Sequence, residues 1–412
     1  MRICKIWDGE YPWDVRVDKV ATALAEAGDQ VHVVCRNISR RPSYEWNGIF
    51  SIHRLPLFPR LPRRLHSIAN FPQPLNPVWT LQMARIIRDT RTELILVRDI
   101  LLMLPALVIG RMCRIPVVLD MAENYAAMLE DKRRFDPTST LAQLVRSPSI
   151  VRRVEQLCTR LADHVIVVVE ESQDRLTGCG VPFDKISIVR NTPRLDSEDY
   201  AASIPNAWRP SSILNLIYFG NLDGSRGMDI AVSALPLLSQ SGCTAHLWII
   251  GDGPSVPRLK KLTQTLGVDS IVTFTGHLSL HLPTARMRVR EIMRESHIGL
   301  VPHYATESWN TTIPNKLFDY MRVGLPVIVS TARPAARIVT QEQCGEVFSD
   351  RDPVALARCI TALKDAEKRG ALGSQGRAAV QHRYNWREDS RILVEALRKI
   401  RHCRPFQPRP LR

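Results

Sequence analysis

The stretch Thr312–Ser330, TIPNKLFDYMRVGLPVIVS, reads as a short helix that feeds directly into a strand. Pro314 suits a first helical position, where its missing N–H costs nothing, and Leu317, Phe318 and Met321 make one apolar stripe. Gly324 is placed to end the helix in a left-handed turn, and Pro326 prevents continuation before the β-branched run VIVS. Asn315, Lys316 and Asp319 then fall within the first turn and a half, where helix-end N–H groups and a neighbouring lysine attract phosphate.

The same grammar recurs upstream. LNLIYFG (Leu214–Gly220), AHLWIIG (Ala245–Gly251), IVTFTG (Ile271–Gly276), IGLVP (Ile298–Pro302) and PVIVS (Pro326–Ser330) alternate with helix-length amphipathic segments, the pattern of a parallel sheet built from βαβ units. All but the last end in Gly or Pro, which puts a loop at the carboxyl end of the strand, where open parallel sheets bind ligands. In YFGNLDGSRGMD (Tyr218–Asp229) a strand ends at Gly220, a Gly-containing turn follows, and Arg226 precedes the next helix, so backbone amides and a guanidinium can converge on a diphosphate. IIGDGP (Ile249–Pro254) again follows a strand, but its G-x-G lacks the third glycine of a dinucleotide fingerprint.

A first series of strands precedes this one, near Arg2–Trp7, Val31–Cys35, Ile49–Leu55, Leu94–Val97, Val117–Asp120, Val165–Val169 and Ile186–Val189. A linker-like stretch, Asp196–Ser212, with Pro205 and Pro210, separates the two series. The expected fold class is α/β, with two Rossmann-like, doubly wound domains facing across a cleft: residues 1–200 and residues 206–386. The helical pattern Arg387–Ile400 is expected to cross back, so that residues 387–402 complete the first domain.

Composition agrees with a folded chain of two domains: 412 residues, 45% apolar and 24% charged. Nine cysteines are scattered singly, with no C-x-x-C pair and no His cluster at metal-ligand spacing, as in a reduced, cytoplasmic protein. MRICKIW runs straight into a strand pattern without an export signal, and the longest apolar run, Ile100–Gly110, contains Pro105 and falls far short of the ~20 residues that span a bilayer. The net charge of +15 is arginine-dominated: residues 1–200 carry 28 Lys/Arg against 24 Asp/Glu, and residues 201–412 carry 28 against 17. Residues 36–77 hold seven arginines, seven prolines and one glutamate among Trp46, Phe50, Leu57, Phe58, Leu61, Leu65 and Phe71, either a solvated loop or a segment that dips into an anionic membrane interface. No recognition-helix, RNP or zinc-finger pattern points to nucleic acid.

In order and spacing, the motifs resemble the donor domain of GT-B glycosyltransferases of family 4. That family shows a strand-G-x-L turn with a basic residue before Gly, a strand ending GDGP, then V-x-F-x-G, a strand ending in Pro, and a helix P-x-K-L-x-E-Y-M-x-x-G-x-P-V. Here these are matched at Tyr218–Gly227, Ile250–Pro254, Val272–Gly276, Ile298–Pro302 and Pro314–Val327. DGEYPWDVRVDKVATALAEAGDQVHVV, VVLDMAENY (Val117–Tyr125) and VIVVVEESQDRL (Val165–Leu176) are similar to its acceptor domain.

The resemblance implies a retaining transfer, of hexosyl or N-acetylhexosaminyl type, from a nucleoside-diphosphate sugar to a glycan or polyprenyl-linked acceptor. The setting it implies is envelope or exopolysaccharide synthesis, at the inner face of a bacterial membrane. It gives Arg226 and Lys316 to the diphosphate and Asp319 to the ribose. Gly220, Asn221, Gly251, Asp252, Gly253, His277, Leu278, Thr312, Asn315 and Leu317 would complete the donor site. Glu123 would handle the acceptor proton, with Asp14, Arg16 and Tyr125 on the acceptor side. Three positions depart from the family pattern: Thr311 stands where the first carboxylate of an E-x7-E pair is common, Asn221 where a basic residue follows the turn glycine, and Ala122 where a histidine precedes Glu123.

No cofactor is expected. The D-x-D at Asp350-Arg351-Asp352 could bind a metal, but Asp352 before Pro353 reads as an N-cap. The loop after the first strand, DGEYPWD, is no G-x-G-x-x-G, which argues against a nicotinamide oxidoreductase. A GT-B-shaped epimerase, or a protein that binds a nucleotide sugar without transferring it, is the alternative.

Overall fold

The computed structural model describes residues 1–12, 14–57, 62, 71, 76–136, 147–195, 206–278 and 283–403. The chain forms two compact units. One holds Met1–Tyr125, Ser149–Asn191 and the chain from Glu388; the other holds Ala126–Pro148 and Thr192–Arg387. Residues 126–148, expected within 1–200, thus group with the second unit.

The first unit is built on eight strands: β1 (Arg2–Ile6), β2 (Gln30–Cys35), β3 (Tyr44–Trp46), β4 (Ser51–Arg54), β5 (Leu94–Arg98), β6 (Val117–Asp120), β7 (His164–Val167) and β8 (Ile186–Ile188). Their order is β3-β4-β2-β1-β5-β6-β7-β8. Only the β3–β4 pair is antiparallel, and β3 is a strand the apolar pattern does not announce because all three of its residues are exposed. β5, β6 and β7 are buried at every position, the mark of a parallel sheet covered on both faces. On one face Cys4, Ile95, Val97 and Leu119 pack with Trp79, Met83, Met103 and Cys158 in one core. The helix Trp386–Cys403 is tied to this unit: Asp389 accepts from the Arg190 amide at 2.9 Å, and Arg398 donates to the Ala27 carbonyl at 3.2 Å.

The second unit has β9 (Leu214–Phe219), β10 (Ala245–Ile250), β11 (Val272–Gly276), β12 (Ile298–Val301), β13 (Val327–Ser330) and β14 (Gly345–Phe348). The order is β11-β10-β9-β12-β13-β14, parallel throughout. Strand order reverses at β9 here and at β1 in the first unit, so each sheet has a switch point where the loops on either side part. The Gly220 turn stands at the carboxyl end of β9.

The helix of the opening stretch spans Lys316–Arg322, two residues later than Pro314 predicts. The Leu317 amide donates to Pro314 and the Phe318 and Asp319 amides to Asn315, a tight first turn that consumes the N–H groups expected to meet phosphate. Its end is as predicted: Gly324 lies at φ 78°, and Leu325 donates back to the Tyr320 carbonyl at 3.0 Å. The described end of the linker is less loose than its composition suggests. Trp208 donates to the Gly324 carbonyl, and fully buried Arg369 donates to the carbonyls of Ala207, Arg209, Leu363 and Lys364 at 2.6–2.7 Å.

Among the described residues, no helix is long and apolar enough to cross a membrane.

Candidate nucleotide-binding site

The loops at the carboxyl ends of β9, β10 and β11 lie backbone against backbone. Gly220 donates to Ile250, Leu222 to Asp252, and Gly251 to Gly276. Gly251, at φ 144°, has the Gly220 carbonyl oxygen 1.9 Å from where a Cβ would stand, so only glycine permits this approach. Asp252 is exposed, with Gly253 between it and the start of the next helix, while exposed His277 and half-buried Leu278 follow Gly276.

Asp223 organises the turn after β9. Its carboxylate accepts from the Ser225 amide and hydroxyl, from Asn221 at 3.0 Å and from Arg226 Nε at 2.8 Å. Burial would push this carboxyl up, but Arg226 and the Ser225 bonds outweigh it and hold the group below its ordinary range. Asn221, at the position where the family pattern has a base, is therefore committed to Asp223. The Arg226 guanidinium lies 4.4 Å over the Trp309 ring, and Trp309 in turn donates to the Ser225 hydroxyl at 3.0 Å.

Lys316 reaches across from the neighbouring helix. Its ammonium sits 3.7 Å over the Tyr218 ring and 3.4 Å from His303 Nε2, and a Cβ on Gly220 would stand 3.0 Å from it. Only 6% of the residue is exposed, and no described carboxylate forms an ion pair with it. Burial, then the nearby Arg226, push its pKa well below the ordinary lysine value, against the weaker pull of Asp223 and Asp319. The second unit therefore brings together Gly220, Asn221, Arg226 and Lys316, with Asp319 half-buried one turn along the same helix.

Other predicted donor residues are placed differently. The Leu317 side chain is fully buried in the interior, and its amide donates to the Pro314 carbonyl. Asn315 is exposed and makes no side-chain cap, while Thr312 is buried. Thr311 is buried too, and its hydroxyl donates to the Glu307 carbonyl at 2.8 Å, so it is spent on its own turn. Asp352 accepts from the Val354 and Ala355 amides at 2.9 Å, the N-cap role its sequence context suggests.

Two features escaped the sequence. His303 and Trp309 flank the two cations, and no motif distinguishes them from core aromatics. The helix Tyr125–Phe135, in a stretch expected in the first domain, meets this turn: Asp136 accepts from the Gly224 amide at 3.1 Å, Asp131 from the Thr306 hydroxyl at 2.7 Å, and Gly224 has no room for a Cβ against Phe135. Burial raises the Asp131 carboxyl to about 6.

In the first unit the acceptor-side expectations need one correction. Arg16 is buried, not presented to a ligand: its guanidinium donates to Asp120 Oδ1 at 2.6 and 2.9 Å and to the Val189 carbonyl, while Lys5 donates to the other Asp120 oxygen at 3.2 Å. The pattern D-V-R could not reveal this, because the partner lies 104 residues away. Asp14 caps the first helix by accepting from Val17 at 2.8 Å and lies 3.6 Å from Arg98. Glu123 is exposed and Tyr125 is half-buried. Beside them Asp99 takes a left-handed φ of 60°, and its carboxyl is pushed up to about 7 by burial and by Glu123, Asp8 and Asp120, against Arg98.

The model for glycosyl transferases group 1 matches residues 214–365, and that for the glycosyl transferase 4-like domain matches residues 14–192. A putative colanic acid biosynthesis glycosyltransferase, WcaL of Escherichia coli K12, is 23% identical over 244 residues, which is 58% of this chain and 58% of that relative's length. Sucrose-phosphate synthase of Thermosynechococcus elongatus superposes with a TM-score of 0.76 at 19% identity, covering 98% of this chain and 100% of its own. Anabaena Alr3699/HepE in complex with UDP and glucose superposes with a TM-score of 0.69 at 16% identity, covering 97% and 100%. At these identities the likeness shows the fold.

Proposed function

Because the chain belongs to the GT-B glycosyltransferases of group 1, family 4, we propose that it moves a sugar, with retention, from a nucleoside-diphosphate sugar to a glycan or lipid-linked acceptor in bacterial envelope polysaccharide assembly. The observation that carries this reading is a buried Lys316 with no carboxylate partner among the described residues, set beside Arg226 over the Gly220 turn. A desolvated ammonium without countercharge is costly to keep. An anionic ligand makes good that cost.

The chemistry follows. As the glycosidic bond breaks, negative charge grows on the departing diphosphate, and fixed cations in a low-dielectric site stabilise it more than water does. Lys316 and Arg226 would supply that stabilisation from this chain's own residues, with no metal or other cofactor. Asp319 would hold the ribose. With Thr311 spent on its own turn, no carboxylate at that position meets the sugar, and the hydroxyl contacts must come from elsewhere. On the acceptor side Glu123, exposed and close enough to Asp99 to raise its carboxyl, is the proposed proton-handling group.

The relative named for colanic acid biosynthesis and the neighbour holding UDP and glucose support an envelope polysaccharide and a sugar nucleotide. The described part of residues 36–77 exposes Tyr44, Trp46 and Ile49 on the β3–β4 hairpin, consistent with a peripheral seat on an anionic membrane from the cytoplasmic side; Phe58, Leu61 and Leu65 lie outside the described residues.

Nucleotide release from UDP-, GDP- and dTDP-sugars, with a lipid-linked acceptor extract, tests the reading. Turnover with one donor is expected. Binding of one donor with no turnover would leave a non-catalytic binder or an epimerase, which interconversion of the bound sugar would separate. Sedimentation with anionic liposomes at low salt tests the membrane seat, and a protein that stays in the supernatant refutes it.

A further inference from the structure

His303 is buried beside the two cations. It stands two residues past the end of β12, is 1% exposed, and its ring lies 4.0 Å from the Trp309 ring. Ser330 Oγ donates to its backbone carbonyl, which anchors the residue against β13. Its Nδ1 is buried without a partner, and its Nε2 is the only hydrogen-bonding group within reach of the Lys316 ammonium among the described residues.

We propose that His303 is the positioning residue for Lys316: its imidazole Nε2 accepts from the ammonium and holds it over the Gly220 turn, so that a bound nucleoside diphosphate, rather than a protein carboxylate, supplies the countercharge. The inference rests on the nucleotide site proposed above and deepens it. Toward an ammonium Nε2 can only accept, so the charged, nucleotide-bound site has its ring proton on Nδ1, the nitrogen that makes no hydrogen bond among the described residues. Burial, then Lys316 and Arg226, push the ring's pKa well below the ordinary histidine value and favour the neutral form.

The groups that face Lys316 explain why a histidine is needed. Tyr218 offers only its ring from β9. Asp223, on the turn, is bonded to Ser225, Arg226 and Asn221. Asp319, on the same helix, contributes from a distance, and Arg226 repels. A carboxylate in place of His303 would neutralise Lys316 permanently and compete with the diphosphate; a neutral acceptor orients the ammonium without cancelling it. One consequence is proton linkage. The free site disfavours the ammonium, the occupied site favours it, and binding therefore draws a proton onto Lys316.

The test is calorimetric titration of the full chain with UDP, GDP, dTDP, ADP and CDP in two buffers of different protonation enthalpy. At about pH 8.5 the terminal phosphate, with its second ionisation near ~6, adds no proton exchange of its own. The wild type is expected to take up a fraction of a proton with the nucleotide it binds, and K316M none. H303F is expected to bind roughly ten- to hundredfold more weakly, with half-maximal proton uptake displaced to lower pH, because the ammonium has lost its acceptor. H303Q, which keeps an acceptor oxygen on a similar reach, is expected to restore most of both. Thermal melts establish that each variant is folded; should H303F fail to fold, H303Q against H303N makes the same comparison, since asparagine is too short to reach. Wild-type affinity and wild-type proton uptake in a folded H303F or H303N overturn this inference and leave the nucleotide site standing. Binding to the wild type without proton uptake does the same. No binding of any of the five overturns the nucleotide site itself.

Discussion

The Asp120 carboxylate is shared by Arg16, at 2.6 Å, and Lys5, at 3.2 Å, with all three side chains buried at the centre of the first sheet. Burial alone would raise this carboxyl, but Arg16, Lys5 and Arg98 together hold it well below the ordinary carboxylate range. Its contribution to stability is therefore present above the ordinary carboxylate pKa and is lost as pH falls through the folded value. Asp120→Asn leaves two buried cations short of an anion, and urea unfolding near neutral pH is expected to show a loss of roughly 3–5 kcal/mol. A smaller loss at acid pH than at neutral pH completes the check.

Asp99 has the opposite sign. Its carboxyl is pushed up to about 7, so ionising it costs stability as pH rises from the ordinary carboxylate range through that value. Asp99→Asn keeps the shape and tolerates the left-handed φ of 60°. Relative to the wild type it is expected to gain roughly 1–3 kcal/mol above about pH 8 and nothing near about pH 4, measured by denaturant midpoints across that range.

Arg369 closes four backbone carbonyls of the second unit with one fully buried guanidinium. Lysine cannot reach all four. Arg369→Lys and Arg369→Met are both expected to lower stability by about 2–4 kcal/mol, and hydrogen exchange at residues 206–209 is expected to rise more than in the sheet.

Gly251→Ala drives a methyl into the Gly220 carbonyl. The two loops must part, and nucleotide affinity is expected to fall at least about tenfold, with a stability loss of roughly 1–3 kcal/mol. Gly267, with nothing near its Cβ position, is the matched control for a glycine at positive φ.

Lys316→Met separates activity from folding. Transfer is expected to fall about 10²–10³-fold, while the melting temperature of the free protein stays level or rises, because an uncompensated ammonium has been exchanged for an apolar chain. Chelation with EDTA is expected to leave wild-type turnover unchanged; inhibition reversed by a divalent cation would refute the metal-free reading.

Strand periodicity and loop-ending glycines disclosed both sheets, because a parallel strand covered on two faces must be apolar at successive positions. They missed β3, whose residues are all exposed, and β14, whose Gly345 and Glu346 interrupt the pattern. In the site, Lys316, Arg226 and the glycines were legible because each belongs to a local motif. Arg16 was misjudged as a ligand contact because its burial depends on Asp120, and His303 was silent because its meaning comes from Lys316 and Trp309. Local spacing carries backbone roles well. It carries little about which charge answers which across the fold.

The exchange of segments between the two units bears on how the molecule is made. The ribosome releases the helix Tyr125–Phe135 long before the rest of the unit it belongs to exists, and the helix Trp386–Cys403 only after everything else in the first unit has emerged. Neither unit can close as the chain leaves the exit tunnel, and a fragment cut at residue 200 would lack a piece of one unit while carrying a stray piece of the other. Halves co-expressed as separate chains are thus expected to need each other in order to become soluble.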